Sequence, residues 1–255
     1  MTVARWKDPR PAHQQIAARI RDQIMSGHLD PGSKLPSTQQ LMDEYGVVGT
    51  TVQKALQLLK GEGIVVGRPG KGVFVREQPN HVIEPASSMP PSAPGMPYWW
   101  TRHAAARAKK GAARILEVAE VAPPKDVAAA LGLAEGATAV VRKRVMLLDD
   151  EPAELVHSYY PAELARGTRL TDRRRIPGGS PTLLAELGYP PREFVDRVSV
   201  RPPTAEEFVA LELPGEVPVL RTFRVVRSDR GRPIEATVMI KAGHLYELEY
   251  RLPVE

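Results

Sequence analysis

The chain has 255 residues, with 35 Lys and Arg against 30 Asp and Glu, 42% hydrophobic residues, 25 prolines and no cysteine. That length allows one large or two ordinary folded domains, and the absence of cysteine excludes disulfide frameworks, thiol nucleophiles and cysteine zinc sites. Charge is uneven: residues 1–78 carry 11 basic and 7 acidic side chains, whereas residues 121–255 carry 19 and 20, so the basic excess belongs to an N-terminal segment of nucleic-acid-binding size. No apolar run reaches the ~18 residues that cross a bilayer, and the N-terminus has no apolar signal core, so a cytoplasmic protein without a membrane partner is expected.

In chain order, His13 to Ser26 places Ile16, Ile20 and Ile24 at four-residue spacing and ends at Gly27, which predicts a helix. Asp30-Pro31-Gly32 is a turn. Ser37, with Gln40 three residues on, opens a short second helix as a capping box, and Tyr45-Gly46-Val47 closes it. A third helix over Thr50 to Lys60 aligns Val52, Ala55, Leu56 and Leu59 on one stripe. Two short β-runs, residues 64–66 and 73–75, flank a glycine-rich basic tip from Gly67 to Gly72. Three helices followed by a hairpin make a winged helix-turn-helix. Packing the third helix by its stripe leaves Thr50, Thr51, Gln53, Lys54 and Gln57 outward, where hydroxyls and amides meet phosphates and base edges in a major groove. The wing's Gly70 and Gly72 allow close backbone approach, and Arg68 and Lys71 supply charge.

Residues 79–97, PNHVIEPASSMPPSAPGMP, have no helical or strand period and read as a Pro-rich linker, which separates a DNA-binding domain (1–78) from a second domain (98–255). Within the second, strand-like runs fall at 138–148, 153–160, 193–201, 217–228, 233–241 and 245–252, and helices near 125–131, 181–187 and 204–212. Asp149-Asp150-Glu151 and Asp229-Arg230-Gly231-Arg232 are hairpin turns, and Thr204 with Glu207 is a second capping box. Arg142 and Arg144 share one face of their strand, opposite Lys143. Trp99-Trp100 belong either to an interface between domains or to the second domain's own core. Tyr159 reads as core, Tyr246 and Tyr250 as core or rim, and Arg173-Arg174-Arg175 as a solvated loop.

The run HQQIAARIRDQIMSGHLDPGSKLPSTQQLMDEYGVVGTTVQKALQLLKGEGIVVGRPGKGVFV, residues 13–75, closely resembles the DNA-binding domain of GntR-family transcription regulators. DVAAALGLAEGATAVVRKRVMLLDDEPAELVHSYYP, GGSPTLLAELGY and DRGRPIEATVMIKAGHLYELEYRL resemble the UTRA effector-binding domain, over about residues 120–253, which points to the HutC-like branch. The resemblance implies an α+β chain in which the winged helix precedes a chorismate-lyase-like antiparallel sheet with helices packed on it. It also implies double-stranded operator DNA and a small-molecule effector as partners, in a homodimer formed through the C-terminal domains.

Both sites depart from the family pattern. Where relatives read V-S-R-T-T-V-R-x-A-L, this chain has Gly49 and Gln53 in place of the arginines, and Gln39 replaces the arginine of P-S-E-R. Each bidentate Arg–guanine contact is worth ~1–3 kcal/mol of discrimination, so a shifted operator is expected, with Gln39 and Gln53 suited to adenine. Val48 removes the best cap of the third helix, a loss of ~1 kcal/mol. In the second domain the resemblance assigns Arg144 to the first position of an effector-binding R-x-R pair, but the second position is Met146 and the acid of the next strand is Val156. Ser180 matches a residue that caps a phosphate or carboxylate in relatives, and Glu235 matches a position that accepts from a ligand hydroxyl or amine. The expected effector contacts are therefore Arg142, Arg144, His157, Ser180 and Glu235, around a molecule larger and more apolar than a sugar phosphate, with one anionic or polar group. The expected DNA contacts are Ser37, Thr38, Gln39, Thr50, Thr51, Gln53, Lys54, Arg68, Gly70, Lys71 and Gly72.

Catalytic readings find little support. The six histidines lack H-x-x-x-H or H-E-x-x-H spacing, Gly178-Gly179-Ser180-Pro181 lacks the last glycine of a nucleophile elbow, and Gly67 to Gly72 lacks the Walker lysine–serine pair. The expectation is a regulator, a repressor released by its effector, with no metal and no cofactor. The alternatives are a chorismate-lyase-like small-molecule enzyme carrying a DNA-binding head and an activator of the same architecture, since the sign of regulation depends on where the operator lies relative to the promoter.

Overall fold

Isoleucine spacing builds the first helix, α1 (Ala12–Met25): Ile16, Ala17 and Ile20 are buried along one side, and Gly27 at φ +76° supplies the left-handed residue that ends it. The second helix, α2 (Thr38–Tyr45), opens with the expected reciprocal box. The Gln40 backbone N–H donates to Ser37 Oγ at 3.2 Å, and the Ser37 N–H donates to Gln40 Oε1 at 2.8 Å. The third, α3 (Gly49–Gly61), buries Val52, Ala55, Leu56 and Leu59, while Val48 at its cap makes no side-chain bond and is 65% exposed. The hairpin of β1 (Val65–Arg68) and β2 (Gly72–Val75) pairs antiparallel from Val65↔Val75 to Arg68↔Gly72, and Lys34 bridges to Phe74 along its side. These elements share one core with Leu35 and Leu41, and Arg21 Nε donates to Glu62 Oε2 at 2.8 Å to tie α1 to the end of α3.

This computed structural model describes residues 8–77, 81–83, 85, 91–93, 96–215 and 217–250. The chain forms two units, Met1–Asn80 with Leu213–Val217, and His81–Glu212 with Pro218–Glu255. The second contains β3 (His81–Ile83), α4 (Trp99–Ala105), β4 (Gly111–Val121), α5 (Lys125–Leu131), β5 (Ala139–Leu148), β6 (Glu151–Pro161), α6 (Ala162–Ala165), α7 (Ser180–Glu186), β7 (Glu193–Arg201), α8 (Ala205–Ala210), β8 (Val219–Arg227), β9 (Pro233–Ala242) and β10 (Tyr246–Leu248). Six strands form one antiparallel sheet in the order β4-β5-β6-β9-β8-β7, two three-stranded meanders joined where β6 pairs with β9. The β5–β6 turn places Asp149 at φ +51° and Asp150 at φ +68°, as a two-residue hairpin requires. The box of Thr204 and Glu207 caps α8. Residues 251 and 252 of the expected last strand lie outside the described residues.

Strand alternation gives the sheet two different faces. Val127 and Leu131 of α5 cover Val141, Tyr159, Phe223 and Ala236 on one. On the other, Leu183 and Leu184 of α7 and Leu164 of α6 cover Val140, Tyr160, Val226 and Ile234. Trp100 settles the open question of its role by entering this unit's own core, 1% exposed, with Nε1 donating to the Leu147 carbonyl at 3.1 Å. The strand β4 is absent from the sequence expectation. It is an edge strand with Arg114, Glu117 and Glu120 along it, and a bulge between Ile115 and Glu117 breaks the alternation that would reveal it. Within residues 79–97, β3 pairs in parallel with β10, and the Ser92 N–H donates to Thr182 Oγ1 at 2.9 Å.

Candidate DNA-binding face and effector cavity

Burying the stripe of α3 leaves Thr50, Gln53, Lys54 and Gln57 exposed on its outer side, with Thr51 half-buried. Gln53 Nε2 donates to Thr38 Oγ1 at 3.2 Å, which holds the N-terminus of α2 beside α3, and Gln39 Nε2 donates to Asp43 Oδ1 at 2.9 Å. Ser37 uses its hydroxyl on the Gln40 backbone, so part of its hydrogen-bonding capacity belongs to the fold. All these contacts are exposed and open to exchange for phosphate or base-edge partners. At the wing, Gly70 at φ +70° and Gly72 at φ +112° form the turn, and Lys71 is exposed at the tip. Arg68 lies over the Phe74 ring at 4.5 Å and pairs with Glu77 at 2.6 Å, which aims its guanidinium along the hairpin. Asp8 at the start of the described chain is held at a pKa of about 2 by its hydrogen bonds with Arg10.

In the second unit, one face of the sheet opens into a cavity of about 60 Å³. Tyr98, Trp99 and Trp100 wall one side, and Arg144, Ser158, Glu235 and Thr237 rise from the strands, with Met146 and Val156 supplying apolar floor. Ser180, at the first turn of α7, is buried and also lines it. Arg144 donates through Nη2 to Ser158 Oγ at 2.9 Å, the Ser158 and Thr237 hydroxyls are 3.0 Å apart, and Thr237 Oγ1 donates to Glu235 Oε1 at 2.7 Å. The Tyr160 hydroxyl is buried near Ser158 and Ser180, and burial pushes its pKa well up, so it remains neutral.

Strand parity corrects two expected effector contacts. His157 lies on the opposite face, among Lys143, Glu117, Glu206 and Glu207, where burial and then the Lys143 charge lower its pKa. Arg142 points to the cavity side but is spent on the fold. Its Nη1 donates to the carbonyls of Leu170 at 2.7 Å and Asp172 at 2.6 Å, and Nη2 donates to that of Arg174 at 2.9 Å. Burial lowers the Arg142 pKa, and these carbonyl dipoles are its compensation.

Sequence reasoning also missed several cavity groups. The acid absent at Val156 appears two residues earlier on the same face as Glu154, but it is held by Lys241 at 3.5 Å and by the Tyr246 hydroxyl at 3.4 Å. Burial, then repulsion from Arg224, lowers the Lys241 pKa, with Glu154 opposing. Arg224 donates to both Asp196 oxygens at 2.7 Å and to the Pro85 carbonyl at 3.3 Å. Counting alternate residues along β6 from Val156 would have found Glu154 and Ser158; nothing local in the sequence points Tyr98 and Trp99 into a cavity.

A winged helix followed by an antiparallel sheet with a polar cavity is the architecture of a DNA-binding regulator with an effector domain. The chain matches the UTRA domain over residues 106–247 and the gntR family of bacterial regulatory proteins over residues 12–75. It belongs to the GntR family of transcription regulators, in the HutC-like branch that carries a UTRA domain. It is 29% identical to the HTH-type transcriptional regulator GgaR of Escherichia coli over 94% of this chain and 90% of that one. It is 27% identical to the HTH-type transcriptional repressor NagR of Bacillus subtilis over 62% of this chain and 61% of that one. A crystal structure of a GntR-family transcriptional regulator superposes with a TM-score of 0.61 at 25% identity, covering 96% of this chain and 99% of that chain.

Proposed function

We propose that this regulator is a homodimeric repressor that leaves a pseudopalindromic operator when a small molecule occupies the cavity. The observation that carries the reading is the cavity itself: two oppositely charged side chains, Arg144 and Glu235, face a cleft walled by aromatics of the segment that follows the winged helix. Repression is the activity named for the NagR relative. A two-fold dimer places equivalent α3 helices on half-sites about one helical turn apart, with Thr50, Thr51 and Gln53 at base edges, Ser37, Thr38 and Lys54 at phosphates, and the wing in the minor groove. The free edge of β7, where Val195, Val198 and Val200 are exposed, supports pairing through the second unit. We read the cavity as binding rather than catalytic. Among the described residues no group of His, Asp and Glu is arranged for a metal ion, and no helix is long and apolar enough to cross a membrane. A cytoplasmic location follows from the DNA partner.

The test is selection of bound fragments from genomic DNA at two salt concentrations, with the mass of the free protein measured by light scattering. Enrichment of a symmetric motif, a dimeric mass and affinity falling steeply with salt support the reading. Binding without any motif, or a monomer on a single half-site, refutes it.

A further inference from the structure

Two charges in the cavity, Arg144 and Glu235, make no ion pair with each other or with another described residue. Among the described residues its other charges are matched: Arg224 with Asp196, and Lys241 with Glu154. Arg144 and Glu235 are not. Arg144 makes one hydrogen bond, to the neutral Ser158 hydroxyl, and its buried Nε has no partner. Glu235 is 7% exposed and accepts from the neutral Thr237 hydroxyl. The two are not in ion-pair contact, yet three contacts of 2.9, 3.0 and 2.7 Å lead from one to the other, so the charges are no farther apart than those contacts together. A buried guanidinium has five donors, a buried carboxylate accepts several bonds, and each is costly when left with a single neutral partner.

We propose that the effector is a zwitterion, a compact molecule with a carboxylate for Arg144 and an ammonium for Glu235 a few carbons away. This rests on the effector reading above and names the chemistry of that site. A phosphate monoester dianion fits poorly, because Arg142 is taken up by backbone carbonyls and Arg224 by Asp196, which leaves Arg144 to meet it, and Glu235 would repel it. Met146 and Val156 accommodate a methylene chain between the charged ends, and the Trp99 and Tyr98 rings form an aromatic wall suited to a desolvated ammonium.

Two of the three tryptophans line the cavity, so ligand entry is readable as a fluorescence change in the full-length protein. The probes are straight-chain ω-amino acids from 4-aminobutyrate to 8-aminooctanoate, each beside its deaminated acid and its decarboxylated amine, with glucose 6-phosphate as the dianion. At least one amino acid is expected to bind about tenfold tighter than both truncated partners and the sugar phosphate. Glu235→Gln should erase the advantage of the amino acid over the plain acid. Arg144→Gln should erase its advantage over the plain amine, and Arg144→Lys should restore part of it. Circular dichroism of each variant separates these losses from misfolding. Sugar phosphate binding as tightly as every amino acid, or no saturation by any amino acid below about 10 mM, overturns the proposal. Release of operator DNA by a cellular small-molecule extract is measured in parallel. Release without amino-acid binding leaves the effector reading standing and removes the zwitterion, whereas no release removes both.

Discussion

Replacing Arg142 with methionine keeps the apolar stem and removes the guanidinium that donates to Leu170, Asp172 and Arg174. Leu170 is fully buried, so its carbonyl loses a charged donor with no water to replace it, at about 1.5–3 kcal/mol. Asp172 and Arg174 are exposed, their carbonyls rehydrate, and each bond lost costs about 0.5–1 kcal/mol. Against this, the variant no longer buries a cation, which returns part of the loss. The net destabilisation is about 2–3 kcal/mol, or a urea midpoint lower by about 1 M. The assay is urea unfolding followed by tryptophan fluorescence, since Trp99 and Trp100 report on the second unit. Ligand titration of the still-folded variant accompanies it, and affinity should stay within about threefold of the parent. If stability is unchanged within about 0.5 kcal/mol while ligand affinity collapses, Arg142 is a ligand contact and the reasoning fails.

Other expectations follow from the same geometry. Gln53→Ala should lower affinity for the selected operator by about 1–3 kcal/mol with little change on unrelated DNA, whereas Lys54→Ala should weaken both alike and flatten the salt dependence by about one unit of slope; anisotropy titrations at several salt concentrations separate the two. Ser37→Ala removes the acceptor of the α2 box and should destabilise the first unit by about 1 kcal/mol, which melting of the isolated winged helix would miss only if the box were unformed in solution. For His157 burial and the Lys143 charge hold the folded pKa below the ordinary histidine value, so folding favours its neutral form. Its contribution is fully present above the unfolded pKa and is lost as pH falls from there through the lower folded value. The urea midpoint should therefore fall between pH 7.5 and 5.5, and fall less in His157→Gln; equal slopes would remove His157 as the cause.

How much was legible divides by the range of the information. The winged helix is written in local signals: the isoleucine spacing of α1, the Ser37 box and the α3 stripe each need only neighbours in sequence. The inner strands β5, β6, β8 and β9 were legible because both faces are covered and their apolar runs are long. The edge strand β4 was not, because the bulge between Ile115 and Glu117 breaks its alternation, whereas the other edge strand, β7, has no bulge and was expected at 193–201. In the cavity, the resemblance carried Arg144, Ser180 and Glu235 to its lining, since strand register preserves which residues share a face. It could not foresee that Arg142 would be consumed by the 169–174 loop, a contact set by chain far away in sequence. His157 was a parity error: adjacent to Ser158, it necessarily faces the other way.

In the proposed repressor, an effector in the cavity acts on the DNA-binding domain through the chain between them. The Pro85 carbonyl accepts from Arg224, which also lines the cavity; the Ser92 N–H donates to Thr182; and the Tyr98 ring packs so close to Gly179 that it leaves no room for a Cβ there. These are single hydrogen bonds and one ring contact, each worth on the order of 1 kcal/mol, the same scale as an allosteric coupling of ~1–3 kcal/mol. An effector therefore need not remodel the sheet: shifting Tyr98 or drawing Arg224 from Pro85 is enough to change how the segment is held. Thr182→Val tests this directly, because valine keeps the shape of threonine and removes the acceptor for Ser92. Operator release per bound ligand should change by about 3–10-fold while ligand affinity, which Thr182 does not contact, changes far less. Unchanged release would mean that the hydrogen bond at Ser92 is not part of the route.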